Sequence, residues 1–272
     1  MRDARKRRAL LLILIALIFM TTGCGWVKNL FTKKDMSRST PDAVYARGYE
    51  DYQEGRYEKA VESFQRLKEV YPLSPLAILA EMGIADAHFS NKSYGEAEVA
   101  YTDFYNLHPT NENIPYVLYQ IGMCHYNQMP TIDRDQSEAV RARKDFERLI
   151  ARFPNSKFAF QAEKRLRETR QQLAENEFYI GEFYFRTKKY KAALKRFEGV
   201  AKDYSGLGLD YKLNWYLAET KKLAAAQEIE EQKEKEKKRL QEAKEKEKEE
   251  KKKAKDKDKD KEKVEKNDKN NG

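Results

Sequence analysis

Two cysteines and three histidines are the side chains best suited to chemistry in this sequence, and their spacing restricts what they can do. Cys24 closes an apolar N-terminal run, and Cys124 lies far from it, so the two form no CxxC redox motif. A count of two also excludes a disulfide-stapled mini-protein. A nucleophilic Cys124 would need a histidine base. His125 is its neighbour in sequence, but adjacent residues on a helix point about 100° apart and do not face each other. Cys124 is therefore expected to be a small buried hydrophobe. His88, His108 and His125 are scattered, whereas a zinc site needs three or four converging ligands. No Gly-rich phosphate loop and no HExxH motif is present. Carboxylates are densest in the C-terminal tail, where nothing could shift their pKa values. The sequence assigns no catalytic residue, no metal and no cofactor, and it does not read as an enzyme.

The chemistry that remains is acylation. Arg2, Arg5, Lys6, Arg7 and Arg8 precede an apolar stretch at 9–20, and the small residues Thr21, Thr22 and Gly23 follow. This is the layout of a secretory signal. A twelve-residue helix spans about 18 Å, short of the ~30 Å hydrocarbon core. The alternative is an uncleaved anchor extended through 21–27. Thr21-Thr22-Gly23-Cys24 resembles a bacterial lipoprotein lipobox. The resemblance implies that the Cys24 thiol carries diacylglycerol and that its amine is N-acylated. Gly25 stands where many inner-membrane lipoproteins have aspartate, which implies outer-membrane delivery. Several acyl chains on one residue give stable anchoring, whereas a single chain is marginal.

Charge argues against nucleic acid as a partner. The net charge is +9, yet residues 1–23 hold +4 and residues 221–272 another +4, leaving 24–220 nearly neutral. A phosphate-binding domain would carry its basic excess on the folded part. Only 40% of the chain is hydrophobic and 36% is charged, too polar for one uniform globule. A polytopic membrane protein is also excluded, because there is one long apolar run.

The middle of the chain repeats. Tyr57, Ala60, Phe64, Leu67 and Pro72 recur 37 residues later as Tyr94, Ala97, Tyr101, Phe104 and Pro109. Ala142, Phe146, Leu149 and Pro154 follow, and then Ala193, Phe197 and Val200. The i, i+4, i+7 spacing keeps each set on one helix face. Upstream of each set lies a small residue: Gly48, Ala85, Gly122 or Gly181. Two antiparallel helices are expected to cross where the small residues meet, Gly48 with Ala60 and Gly122 with Ala142. Pro72, Pro109 and Pro154 end the second helices, because proline cannot continue the hydrogen-bond ladder. Longer intervals place an insertion at 129–137 and one long helix over 157–186, started by Asn155-Ser156. A fifth first helix is expected at about 209–225.

This pattern resembles the tetratricopeptide repeat, whose unit is about 34 residues. The resemblance implies an all-α right-handed superhelix of about four helical hairpins plus a fifth terminal helix, with a charged tail. The chain then divides into a lipoprotein signal peptide (1–23), a lipidated N-terminus and linker (24–40), a repeat domain (41–225) and a low-complexity tail (226–272). Glu/Lys mixing makes the tail helical to about Lys253. Lys-Asp alternation and asparagine favour disorder beyond it.

Four stretches carry a more specific resemblance. They are Tyr71-Pro72-Leu73-Ser74-Pro75, the run from His108-Pro109-Thr110 to Tyr116-Val117-Leu118-Tyr119, Asp133-Arg134-Asp135 in the insertion, and Phe153-Pro154-Asn155-Ser156-Lys157 leading to Lys164-Arg165-Leu166. Their order is similar to the BamD family, lipoproteins of the outer-membrane β-barrel assembly machine. The family resemblance implies a place on the periplasmic face of the outer membrane. It implies docking on a BamA-like barrel-forming subunit, reception of unfolded outer-membrane β-barrel proteins, and room for other assembly lipoproteins. By family match, Arg196 and Lys195 lie towards the barrel-forming subunit, and Tyr71, Tyr116 and Tyr119 lie near the substrate groove. Other readings of an anchored repeat protein are a pilotin for a secretin or pilus system, and an envelope coordination lipoprotein.

Overall fold

The computed structural model describes residues 39–270. The signal segment, Cys24 and the linker up to residue 38 lie outside the described residues.

Each described helix begins where local chemistry allows it. The Thr40 hydroxyl accepts from the Ala43 amide (3.3 Å), and Pro41 opens helix α1, Pro41–Gln53. Proline suits a first turn because its missing N–H would have no partner there. After α2 (Tyr57–Val70), Ser74 and Pro75 start α3 (Pro75–Ser90) in the same way. Helices α4 (Tyr94–Leu107), α5 (Ile114–Asn127) and α6 (Ser137–Arg152) follow. The Ser156 hydroxyl accepts from the Ala159 amide (3.1 Å) and starts α7, Lys157–Arg186, the single 30-residue helix expected from its lack of proline. Helices α8 (Tyr190–Asp203) and α9 (Asp210–Asn270) complete the described chain. The described residues contain no strand.

The turn inside a hairpin recurs in left-handed conformation. Gly55 has φ 76°, and Lys92, its counterpart one repeat on, has φ 62°; Lys188 between α7 and α8 has φ 61°. A residue of this conformation just past a helix end satisfies its last carbonyls.

The described residues cluster into two compact units. One runs up to Gln128 and includes Lys144–Glu163; the other holds Met129–Arg143 and the residues from Lys164 onward. The first unit's core contains Val44, Ala60, Phe64, Leu67, Ala80 and Ile84. The second unit's core contains Ala174, Phe178, Ala193, Phe197, Val200 and Leu213. The repeated positions Ala60, Phe64 and Leu67, and their counterparts Ala97, Tyr101 and Phe104, Ala142, Phe146 and Leu149, and Ala193, Phe197 and Val200, are all buried.

At the helix crossings the atoms nearest to the glycines belong to an aromatic ring. A Cβ added to Gly48 would meet the Phe64 ring at 2.8 Å, one on Gly122 would meet Phe146 at 2.6 Å, and one on Gly181 would meet Phe197 at 2.5 Å. The glycines thus make room for the aromatic ring of the second helix. Phe64 is also held from its other edge, because a Cβ on Gly83 would lie 2.8 Å from it. Ring packing is favoured because a phenylalanine buries far more apolar area than a methyl group.

Within the second unit, α7 ties down the insertion. The Gln172 side-chain amide donates to the Pro130 carbonyl (2.7 Å) and to Gln136 Oε1 (2.9 Å), and Asn176 donates to the Ile132 carbonyl (2.6 Å). Helix α9 buries Leu213, Thr220 and Ala224. From Glu228 to Lys251 every side chain is exposed. Pairs such as Lys238–Glu234 (3.2 Å) and Lys251–Glu247 (2.5 Å) at i,i+4 support it there.

Candidate functional site

In the first unit, helices α1, α3, α4 and α5 bring aromatic and polar side chains together around one carboxylate. Asp86 Oδ1 accepts from the Tyr101 hydroxyl (2.5 Å) and the Tyr116 hydroxyl (2.6 Å). The Gln120 amide donates to both tyrosine oxygens, at 3.3 and 3.1 Å. Burial raises the Asp86 pKa, and the two hydroxyl donors oppose that rise. The phenols of Tyr101 and Tyr116 are pushed up, first by burial and then by the Asp86 charge. Beside Asp86 a small cleft of about 80 Å³ is lined by Tyr45, Tyr49, Tyr52, Phe64, Leu79 and Met82. The rings of Tyr45 and Tyr49 stack at 6.5 Å with 10° between planes.

The expected groove tyrosines are placed differently from one another. Tyr116 and Tyr119 come together over Phe158, with ring centroids 5.3 and 6.0 Å away. Tyr71 closes the end of α2 instead, where its hydroxyl donates to the Ser39 carbonyl. It packs against the Phe64 core and fixes the chain entering α1. Tyr45, Tyr49 and Asp86 are neighbours that the sequence reading missed. A signal was present: Tyr101 occupies the position of Phe64, Phe146 and Phe197, and a buried phenol needs a partner.

In the second unit, Arg196 and Lys195 share a cleft of about 470 Å³ with Glu177, Tyr184, Asp203 and Tyr204. Arg196 Nη1 donates to both oxygens of Glu177, at 3.1 and 2.7 Å. Arg196 stays 41% exposed, so the pair orients the guanidinium more than it stabilises the fold. Lys195 is exposed. Arg170 donates to the Asp203 carbonyl at 2.8 Å and closes the end of α8.

Cys124, His108 and His125 are each engaged within the fold. Cys124 is buried, and burial first, then Glu98 and Asp145, push its thiol up to about 12. A thiol held so far above neutrality is not a nucleophile. His108 meets Glu81 at 2.6 Å, and His125 lies 3.4 Å from both Glu98 and Asp145. No group of three or more metal-ligating side chains converges among the described residues. Among them, no helix is long and apolar enough to cross a membrane.

The chain has relatives. It is 29% identical over 188 residues to the outer membrane protein assembly factor BamD of Xylella fastidiosa (strain Temecula1), a match covering 65% of this chain and 63% of that one. It is 32% identical over 133 residues to the assembly factor BamD of Rickettsia prowazekii, covering 49% of this chain and 53% of that one. With BamD of Vibrio cholerae it shares 27% identity over 156 residues, covering 54% and 65%. The matches thus span less than two thirds of each relative's length. Among solved structures it is similar to the TPR2AB domain complex of yeast Sti1, at 15% identity and a TM-score of 0.40, covering 68% of this chain and 71% of that one. Residues 37–248 match the model of the outer membrane lipoprotein family YfiO. With the match running through both helical units, the chain belongs to the YfiO family of outer membrane lipoproteins.

Proposed function

We propose that this chain is a non-catalytic lipoprotein of outer-membrane β-barrel assembly. It would hold the barrel-forming subunit and receive unfolded barrel proteins for insertion. The observation that carries this reading is the family match over 37–248, joined by relatives that are assembly factors. Those names favour barrel assembly over a pilotin or an envelope coordinator.

The roles divide between the units. The Arg196–Lys195 cleft presents an oriented guanidinium and a free ammonium, which suits an acidic patch on the barrel-forming subunit. The aromatic face around Tyr116 and Tyr119 suits the alternate side chains of an extended, unfolded strand. Acyl chains on Cys24 would keep both surfaces at the periplasmic side of the outer membrane and raise their local concentration there. None of these tasks requires bond-making chemistry or a cofactor beyond the covalent lipid.

Depletion of the protein in its own bacterium tests the proposal. The level of folded β-barrel proteins in purified outer membranes should fall several-fold before growth stops. Unchanged barrel levels at full depletion would overturn it.

A further inference from the structure

We propose that the cleft beside Asp86 binds the cationic end of an arginine or lysine side chain carried by an extended peptide. The inference rests on the proposed reception of unfolded chains by the first unit.

Asp86 has an uneven set of partners. Both tyrosine hydroxyls reach Oδ1, and no hydrogen bond among the described residues is made to Oδ2. No salt bridge to this carboxylate is seen among the described residues, and burial and the two tyrosine hydroxyls are what chiefly set its pKa. A largely buried carboxylate without a counter-cation is costly, because desolvation is not repaid by attraction. A cation brought in by a ligand would complete the pair.

The surrounding walls fit the same ligand. Tyr45 and Tyr49 lie nearly parallel beside the cleft, with centroids 6.5 Å apart, and Phe64 lines it 5.5 Å from Tyr45. Aromatic faces attract cations, most of all where water is excluded. Met82 adds a polarisable wall that accommodates the aliphatic stem. A volume near 80 Å³ has room for a guanidinium or an ammonium with its last methylenes. Tyr49 is 51% exposed, so the entrance is open. The Gln120–Tyr101–Tyr116 bonds hold Oδ1 in place, leaving Oδ2 as the site's acceptor.

The test uses the full-length protein in mild detergent and two short fluorescent peptides of alternating aromatic and threonine residues ending in phenylalanine. One carries a single arginine; the other carries citrulline, a neutral isostere, at that place. Anisotropy should show the arginine peptide binding about tenfold tighter. Asp86→Asn keeps an oxygen for Tyr101 and Tyr116 to donate to, so the fold survives. It should reduce the discrimination to within about twofold. Tyr49→Ala, an exposed truncation, should weaken the arginine peptide several-fold and the citrulline peptide less. Equal binding of the two peptides by the unmodified protein would overturn this inference and leave the proposed function standing. So would discrimination that persists in Asp86→Asn. Binding of neither peptide would overturn both.

Discussion

Phe146→Ala should cost about 3–5 kcal/mol of folding stability, the range for emptying a fully buried aromatic site. The ring is buried and lies against Gly122, with Tyr119 and Tyr126 at centroid distances of 6.1 and 6.4 Å. The arrangement makes a sharper statement about the pair. A Cβ on Gly122 would come within 2.6 Å of the ring. Gly122→Ala alone should therefore destabilise by about 1–3 kcal/mol through overpacking, reduced by the roughly 1 kcal/mol that alanine gains over glycine within a helix. In the double variant the methyl enters space the ring has left. The double loss should be smaller than the sum of the single losses by about 0.5–3 kcal/mol. Urea unfolding of the four proteins followed by circular dichroism measures this. Strict additivity would contradict the ring-on-glycine account of how the hairpins close.

Cys24→Ser should release the protein from the membrane. Serine offers a hydroxyl in place of the thiol that the lipobox resemblance marks for acylation. Each buried methylene contributes about 0.8 kcal/mol, and one chain alone gives only marginal binding. Losing all the chains therefore removes the whole anchor. No described helix is built to replace it. After an alkaline wash that strips peripheral partners, the unmodified protein should stay in the membrane pellet and Cys24→Ser should move to the supernatant. Retention of the variant in the pellet would point to an uncleaved N-terminal anchor instead.

Much of the repeat architecture was legible because its signals are local. Ala60, Phe64 and Leu67 recur at fixed spacing, and these three and their counterparts in the later repeats are all buried. Helix α7 could be bounded because Ser156 caps it and no proline interrupts it. The crossing chemistry was half visible. Glycines at 48, 122 and 181 announced a close approach, but sequence alone does not say which atom arrives. Gly83 lies outside the repeat register and gave no signal, although it holds the second edge of Phe64. The same limit hid the Asp86 cleft. Its lining comes from α1, α2 and α3, with Tyr101 and Tyr116 of α4 and α5 holding Asp86, and a single aspartate on a helix looks like a solvated charge until the fold surrounds it. Arg196 was singled out through family resemblance. Its two bonds to Glu177 come from a residue on the preceding helix that no short-range pattern links to it.

Affinity purification of the full-length protein from mild-detergent membranes, with partners identified by mass spectrometry, decides whether it serves barrel assembly. A β-barrel protein that carries periplasmic domains should be recovered. Arg196→Glu, which sets a second carboxylate against Glu177 in the cleft, should lower that recovery about tenfold or more. Recovery of secretin or pilus components, with no such barrel protein, would contradict the assembly role and leave only the helical-repeat fold and the family membership in place.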